Sequence, residues 1–332
     1  MIAQPRPTRI QRLLPAAVVA TFLFAAAPVA QSPLTTTYAS NNGGAVGGQV
    51  FFDLAVSSPT GITIKSLDLN LGDVVGTAGT INILTVAGGY TAGTNTTTLG
   101  NWTGPSSSGP IVARGVDQRS HVCFPGGVFL PFGVHGIAVQ YVGVKARYTN
   151  GIGAPPVLHT SRTEVQFLFG AAQNVPWTGL FSPRIWNGDV HYDVGASLPC
   201  PTCANKVEYG APCASPCAPF PMLHVDADFP VLGEALEIVT TGASPCATAG
   251  MTLIGLSPTF PTAILQPPWT CFQHVNPTVA MLGLPFGGSW STVVPLPNSA
   301  AFCGLNIYVQ SVTFETPWAV VSSNGLQLTI GS

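Results

Sequence analysis

Charged side chains are scarce: Asp, Glu, Lys and Arg together make up 7% of the chain, against about a quarter in ordinary globular proteins. Long solvent-exposed helices take both their helix formers and their polar face from those residues, so a helix-rich fold is not expected. A basic patch is missing as well, and without one there is no electrostatic grip on phosphate, so nucleic acid is not an expected partner. The signatures of common enzymes are absent too: there is no G-x-S-x-G elbow, no H-E-x-x-H, no P-loop and no G-x-G-x-x-G at a strand-to-helix turn. No cofactor is called for.

One long apolar run exists, and it stands at the start. Arg6, Arg9 and Arg12 precede Leu13 to Ala30, an Ala- and Val-rich stretch. Charge followed by an apolar segment is the order of a secretory signal peptide, with cleavage expected after Ala30. An uncleaved anchor is the competing reading, weakened by Pro15 and the many alanines. No later segment is comparable, so the mature chain is expected to have no transmembrane segment and to be secreted or held at the cell surface.

What is abundant is the vocabulary of strands and turns: Gly, Pro, Thr, Ser and Val dominate, with 37 Gly and 31 Pro. Apolar or alternating stretches recur between Gly, Asn and Pro punctuation at Gln49 to Val56, Thr63 to Leu71, Thr80 to Val86, Gly136 to Val144 and Val165 to Phe169. In the second of these, strict alternation sets Ile64, Ser66, Asp68 and Asn70 on one face and Thr63, Lys65, Leu67, Leu69 and Leu71 on the other. A later set follows at Met222 to Val225, Ala235 to Thr240, Met251 to Leu256, Ser291 to Val294, Leu305 to Val312 and Leu326 to Ile330. The Gly-rich loop Gly88 to Gly109 reads as a surface excursion. The expected fold is all-β: two β-sandwich, jelly-roll-like domains, at 31–198 and 218–332, joined by a Cys/Pro-rich junction at 199–217 and preceded by the signal peptide at 1–30.

Charge divides the chain at the same place. From Gln31 to Pro199 the seven basic residues balance seven acids, whereas from Cys200 onward Lys206 stands alone against Glu208, Asp226, Asp228, Glu234, Glu237 and Glu315. The pieces TTTYASNNGGAVGGQVFFDLAV near residue 35, RYTNGIG at Arg147 and FLFGAAQNVPWTGLFSPRIWNGDVHYDV from Phe167 resemble a module common in secreted proteins of planctomycete bacteria. The stretch after Gly210, with VPLPNSAAFCGLNIYVQ and SNGLQLTIG, resembles its usual companion. The resemblance implies a β-rich secreted protein and brings no catalytic residues with it.

Eight cysteines are present: Cys123, Cys200, Cys203, Cys213, Cys217, Cys246, Cys271 and Cys303. The close pairs Cys200-x2-Cys203 and Cys213-x3-Cys217 have a zinc-ribbon look, but the flanking prolines and an exported chain favour disulfides over metal or a redox pair. Seven cysteines in the later segment cannot pair among themselves. Either one thiol is free, or Cys123 crosses to Cys200 or Cys203 and staples the domains; the crossing is the favoured reading, with Cys271 and Cys303 as an expected bridge within the second domain.

Candidate ligand residues are few. Arg184, Trp186 and Asp189 lie in a stretch that mixes aromatic and charged groups, as a sugar platform would, although the same stretch suits a closing strand with Trp186 in the core. Trp102, in the Gly-rich loop, is the expected surface aromatic. His224, Asp226 and Asp228 stand at i, i+2, i+4 of a strand and could present oxygen and nitrogen to a hard ion, with a solvated polar face as the plainer reading. Asp117, Glu164, Asp189 and Asp193 are the acids available for glycoside hydrolysis. Three functions are thus in play: a non-catalytic glycan-binding or adhesive protein, a polysaccharide-acting hydrolase, and a purely structural exoprotein. The expected partner is an extracellular glycan or cell-surface component.

Overall fold

The computed structural model describes residues 32–197, 200–217, 222–263, 271–315 and 319–332. The expected signal peptide, 1–30, lies outside the described residues. Within them the chain is all-β: every regular element is an antiparallel strand or a short 3-10 turn, and no helix is long and apolar enough to cross a membrane.

Two sheets make the first sandwich. One has four strands, in the order Leu34–Thr35, Gly188–Val194, Ile62–Leu69 and Ser120–Leu130. The other has nine, with Gln49–Val56, Gly133–Val142 and Val165–Gln173 near its centre and Thr103–Val112 at one edge. Their facing sides supply one continuous core, in which Phe52, Phe167 and Trp186 pack ring to ring at 4.7 to 6.2 Å. Two of the strands that pattern reading passes over are edge strands. Ser120–Leu130 contains Pro125 and Thr103–Val112 contains Pro105 and Pro110. Proline removes a ladder donor, which an edge or a bulge tolerates and a central strand does not.

The segment around Trp186 belongs to both sheets. Phe181–Trp186 pairs within the nine-stranded sheet, and after Asn187 the chain enters the four-stranded sheet as Gly188–Val194. A Cβ on Gly188 would run into the Trp186 ring and the Asp68 carbonyl, so glycine is what lets the chain turn the corner so tightly.

The second sandwich is smaller. A five-stranded sheet, ordered Asn205–Tyr209, Ala319–Thr329, Asn306–Glu315, Ala247–Gly255 and Val279–Gly283, faces a three-stranded sheet of His224–Ala227, Ala235–Thr241 and Trp290–Pro295. Aliphatic residues fill the space between them, among them Val225, Leu236, Ile238, Val309, Leu326 and Leu328. The stretch expected to be a junction contributes Asn205–Tyr209 to this sheet, paired along its whole length with Ala319–Thr329.

All eight cysteines are bridged. Cys123 joins Cys203 across the two sandwiches, while Cys200–Cys303, Cys213–Cys271 and Cys217–Cys246 lie within the second. The expected Cys271–Cys303 bridge is therefore corrected. Cys271 is buried beside Cys213 and Trp290, whereas Cys303 packs against the other core cluster, with Cys200.

Candidate functional site at the domain border

The strand Ile62–Leu69 departs from strict alternation. A bulge between Ile64 and Ser66, opposite Ser120–Leu130, turns Ile64 into the core with Leu67 and Leu69. Lys65, Ser66 and Asp68 then point to the outer face of the four-stranded sheet. That face would ordinarily be solvated, yet every residue of the strand is buried. The second sandwich covers it.

The neighbouring strands place their polar residues on the same face. His121 stands two residues before the stapling Cys123, and Asp189, His191 and Asp193 alternate with the core residues Val190 and Tyr192. His121 Nδ1 lies 2.7 Å from Asp68 Oδ1, and His191 Nε2 lies 3.2 Å from Asp68 Oδ2. The outer nitrogens turn to the other sandwich: His191 Nδ1 is 2.8 Å from Glu234 Oε2, and His121 Nε2 is 3.0 Å from the Ser332 backbone oxygen. Lys65 donates to the Leu232 carbonyl at 2.6 Å and sits 3.4 Å from Asp193 and 3.6 Å from Glu234. Arg119 donates to Asp189 at 2.8 Å and reaches Asp228 at 3.8 Å.

Burial and neighbouring charges shift several of these groups. Burial alone would raise the Asp68 carboxyl, but the His191 charge and hydrogen bonds from both histidines outweigh it and hold the group far below the usual carboxylate range. Burial would lower His191, but the Glu234 and Asp68 charges raise it well above an ordinary imidazole. Glu234, which burial would raise, is held low by His191 and Lys65. Partial burial raises Asp228, against the pull of Arg119.

Beside this network opens a cleft of about 470 Å³ between the sandwiches, lined by Tyr38, Arg114, Asp117, Arg119, Lys206, Asp226, Asp228 and Phe229 among others. Its cations and carboxylates are interleaved rather than segregated. Lys206 donates to Asp226 at 2.7 Å. The ring faces are already in use: Arg119 lies over Tyr38 at 5.1 Å, and His121 and Arg114 contact Phe229 at 4.6 and 4.9 Å. The cleft therefore offers hydrogen bonds rather than a bare aromatic platform.

The residues singled out from the sequence are dispersed. Trp102 is 8% exposed, not a surface aromatic. Residues 88–102 fold back over the outer face of the nine-stranded sheet, where its ring meets Phe51 and Trp177 at 5.7 Å and its indole N–H donates to the Asn95 carbonyl. Trp186 is fully buried and donates to the Tyr141 hydroxyl, and the Arg184 guanidinium lies over Tyr148. Asp189 alone of this group reaches the domain border. The strand His224–Ala227 ends before Asp228, and the three expected ligands take separate partners: His224 faces Glu208, Asp226 faces Lys206 and Asp228 faces Arg119. Among the described residues, the group close enough to share an ion is Asp68, His121 and His191.

Sequence reading missed that trio for a reason with a usable signal. His121 and Cys123 share a face at i and i+2, so a cysteine that must cross to the second domain carries His121 toward it as well. Comparisons with protein-family models, with curated proteins and with solved structures return no match.

Proposed function

We propose that the chain is an exported, non-catalytic binding protein that takes a hydroxyl-rich ligand, an extracellular glycan, in the cleft between its sandwiches. The observation that carries the reading is the cleft itself, where Arg114, Arg119 and Lys206 alternate with Asp117, Asp226 and Asp228. Interleaved guanidinium, ammonium and carboxylate groups supply both donors and acceptors to vicinal hydroxyls, and a strongly charged ligand would meet as much repulsion as attraction. Four disulfides fit the oxidising conditions outside the cytosol. The acids available for hydrolysis support binding over turnover, because each has a structural partner: Asp189 holds Arg119, Asp193 holds Lys65, Glu164 accepts from the Tyr192 hydroxyl, and Asp117 accepts from Asn70.

A glycan array probed with the oxidised chain tests this. Retention of a glycan, weakened at least tenfold by Arg114→Ala with Asp226→Ala, is the expected result. No glycan retained, or equal retention by that variant, overturns it; release of reducing ends from a bound glycan would show a hydrolase instead.

A further inference from the structure

We propose that Asp68, His121 and His191 form a binding site for a first-row divalent transition-metal ion at the border between the sandwiches. The site does not depend on the glycan reading. Its three donors, one carboxylate oxygen and two imidazole nitrogens, lie within 4.8 Å of one another. Their side chains are 6%, 1% and 6% exposed. A tetrahedral zinc site with bonds of about 2.0 to 2.1 Å sets its ligand atoms roughly 3.3 to 3.5 Å apart, so the observed trio needs only small rotations to close on an ion.

The ring nitrogens make the stronger argument. A neutral imidazole carries a single N–H. His121 turns Nε2 to the Ser332 backbone oxygen and His191 turns Nδ1 to Glu234, both of which accept hydrogen bonds and neither of which donates. With each N–H given to that outer acceptor, the lone pairs on Nδ1 of His121 and Nε2 of His191 converge on a carboxylate. A bound ion would take the place of the protons that otherwise bridge the two rings to Asp68. The arrangement, in which a carboxylate or a backbone oxygen takes the far N–H and fixes the tautomer, is the one that orients histidine toward metals.

Charge points the same way. Asp68, Asp189, Asp193 and Glu234 stand against two permanent cations, Lys65 and Arg119, so this buried face has carboxylates enough to hold a divalent ion that displaces protons from the histidines. Asp228 is half exposed and screened by water. Arg119 does not occupy the place, since it binds Asp189 at 2.8 Å and stays 3.9 Å from Asp68.

A second observation is independent of the trio. Asp189 is 2% exposed, and its Oδ1 is buried with no hydrogen-bond partner. It lines, with Asp68, His191 and Glu234, a cavity of about 90 Å³ that adjoins the cleft through Arg119, Asp228 and Phe229. That is room for water on the fourth position of the ion, hydrogen-bonded to the idle Asp189 oxygen. Two imidazoles and a carboxylate suit zinc and its neighbours rather than calcium or magnesium, which take oxygen.

The experiment uses the full oxidised chain, stripped with a chelator and desalted after exposure to Zn²⁺. One equivalent retained by elemental analysis is expected, as is a visible absorption of tetrahedral type with Co²⁺ and a zinc-induced change in the imidazole 15N shifts of both histidines. His121→Gln and Asp68→Asn should each weaken retention at least 100-fold, and Glu234→Gln, which among the three ligands touches only His191, at its far nitrogen, about tenfold. If the wild-type chain retains no ion and its histidine signals do not move, the site does not exist, whether or not the variants fold. Equal retention by wild type and a folded His121→Gln variant would overturn it too.

Discussion

The two sandwiches are stabilised by different means. The first closes over a core that includes Phe52, Phe124, Phe167, Tyr192 and Trp186, and no disulfide joins two of its own parts. The second has a smaller, aliphatic main core and three internal disulfides. Apolar burial grows with domain size, so a small domain buries too little to offset chain entropy unless crosslinks restrict its unfolded state. The border between them follows a third pattern, in which buried ions satisfy one another across the joint.

The largest effect should fall on the smaller domain. Cys213→Ser with Cys271→Ser opens a crosslink spanning 58 residues and should cost about 4 kcal/mol; calorimetry should show the second sandwich melting early while the first keeps its transition. Loss of both transitions together would mean that the domains do not differ as described. Phe52→Ala is the converse, removing a buried ring from the core without disulfides at a cost of 3–4 kcal/mol or thereabouts, and it should lower the transition that the cysteine variant leaves in place.

Lys65→Met tests the border. It strands Asp193 and Glu234 and removes the donor to the Leu232 carbonyl. A loss of about 2 kcal/mol is expected, read as a wider separation of the two melting transitions; coincident transitions would show that the stapling disulfide alone couples the domains.

The smallest effect concerns Asp53, on the outer face of the nine-stranded sheet under Tyr90. Burial raises its carboxyl to about 6, against the lowering effect of the Tyr90 backbone N–H. The folded chain therefore holds this proton more tightly than the unfolded one. Its contribution to stability declines as pH rises from about 4 to about 6 and stays reduced above that. Asp53→Asn keeps an oxygen for Tyr90 and removes the charge, so it should raise the first melting transition at pH 7 by about 1 kcal/mol and lose that advantage at pH 4. An advantage that persists at pH 4 would place the gain elsewhere.

Much of the fold was legible in the sequence because strands with one apolar side declare themselves. Gln49–Val56 was found with both ends, and Ala235–Thr241 within one residue. The proline-bearing edge strands were not, because proline reads as a break unless the strand is known to lie at an edge. At the site, Asp189 was named in the sequence as a candidate sugar ligand, whereas Asp68 was seen as one member of a polar face, Glu234 entered only the charge balance and His121 was not singled out. A lone polar residue in an alternating strand looks solvated until its cover is known.

By itself, then, the sequence determined the class of fold and about half of its described strands, and it led to the expectation that Cys123 reaches the cysteine-rich half, since seven thiols cannot all pair among themselves. Tertiary structure alone decided that Cys203 is the partner, that a bulge returns Ile64 to the core, and that Asp68, His121 and His191 meet under the second sandwich. The physical reason is that alternation says which side chains share a face, while what covers that face depends on contacts between residues far apart in the chain.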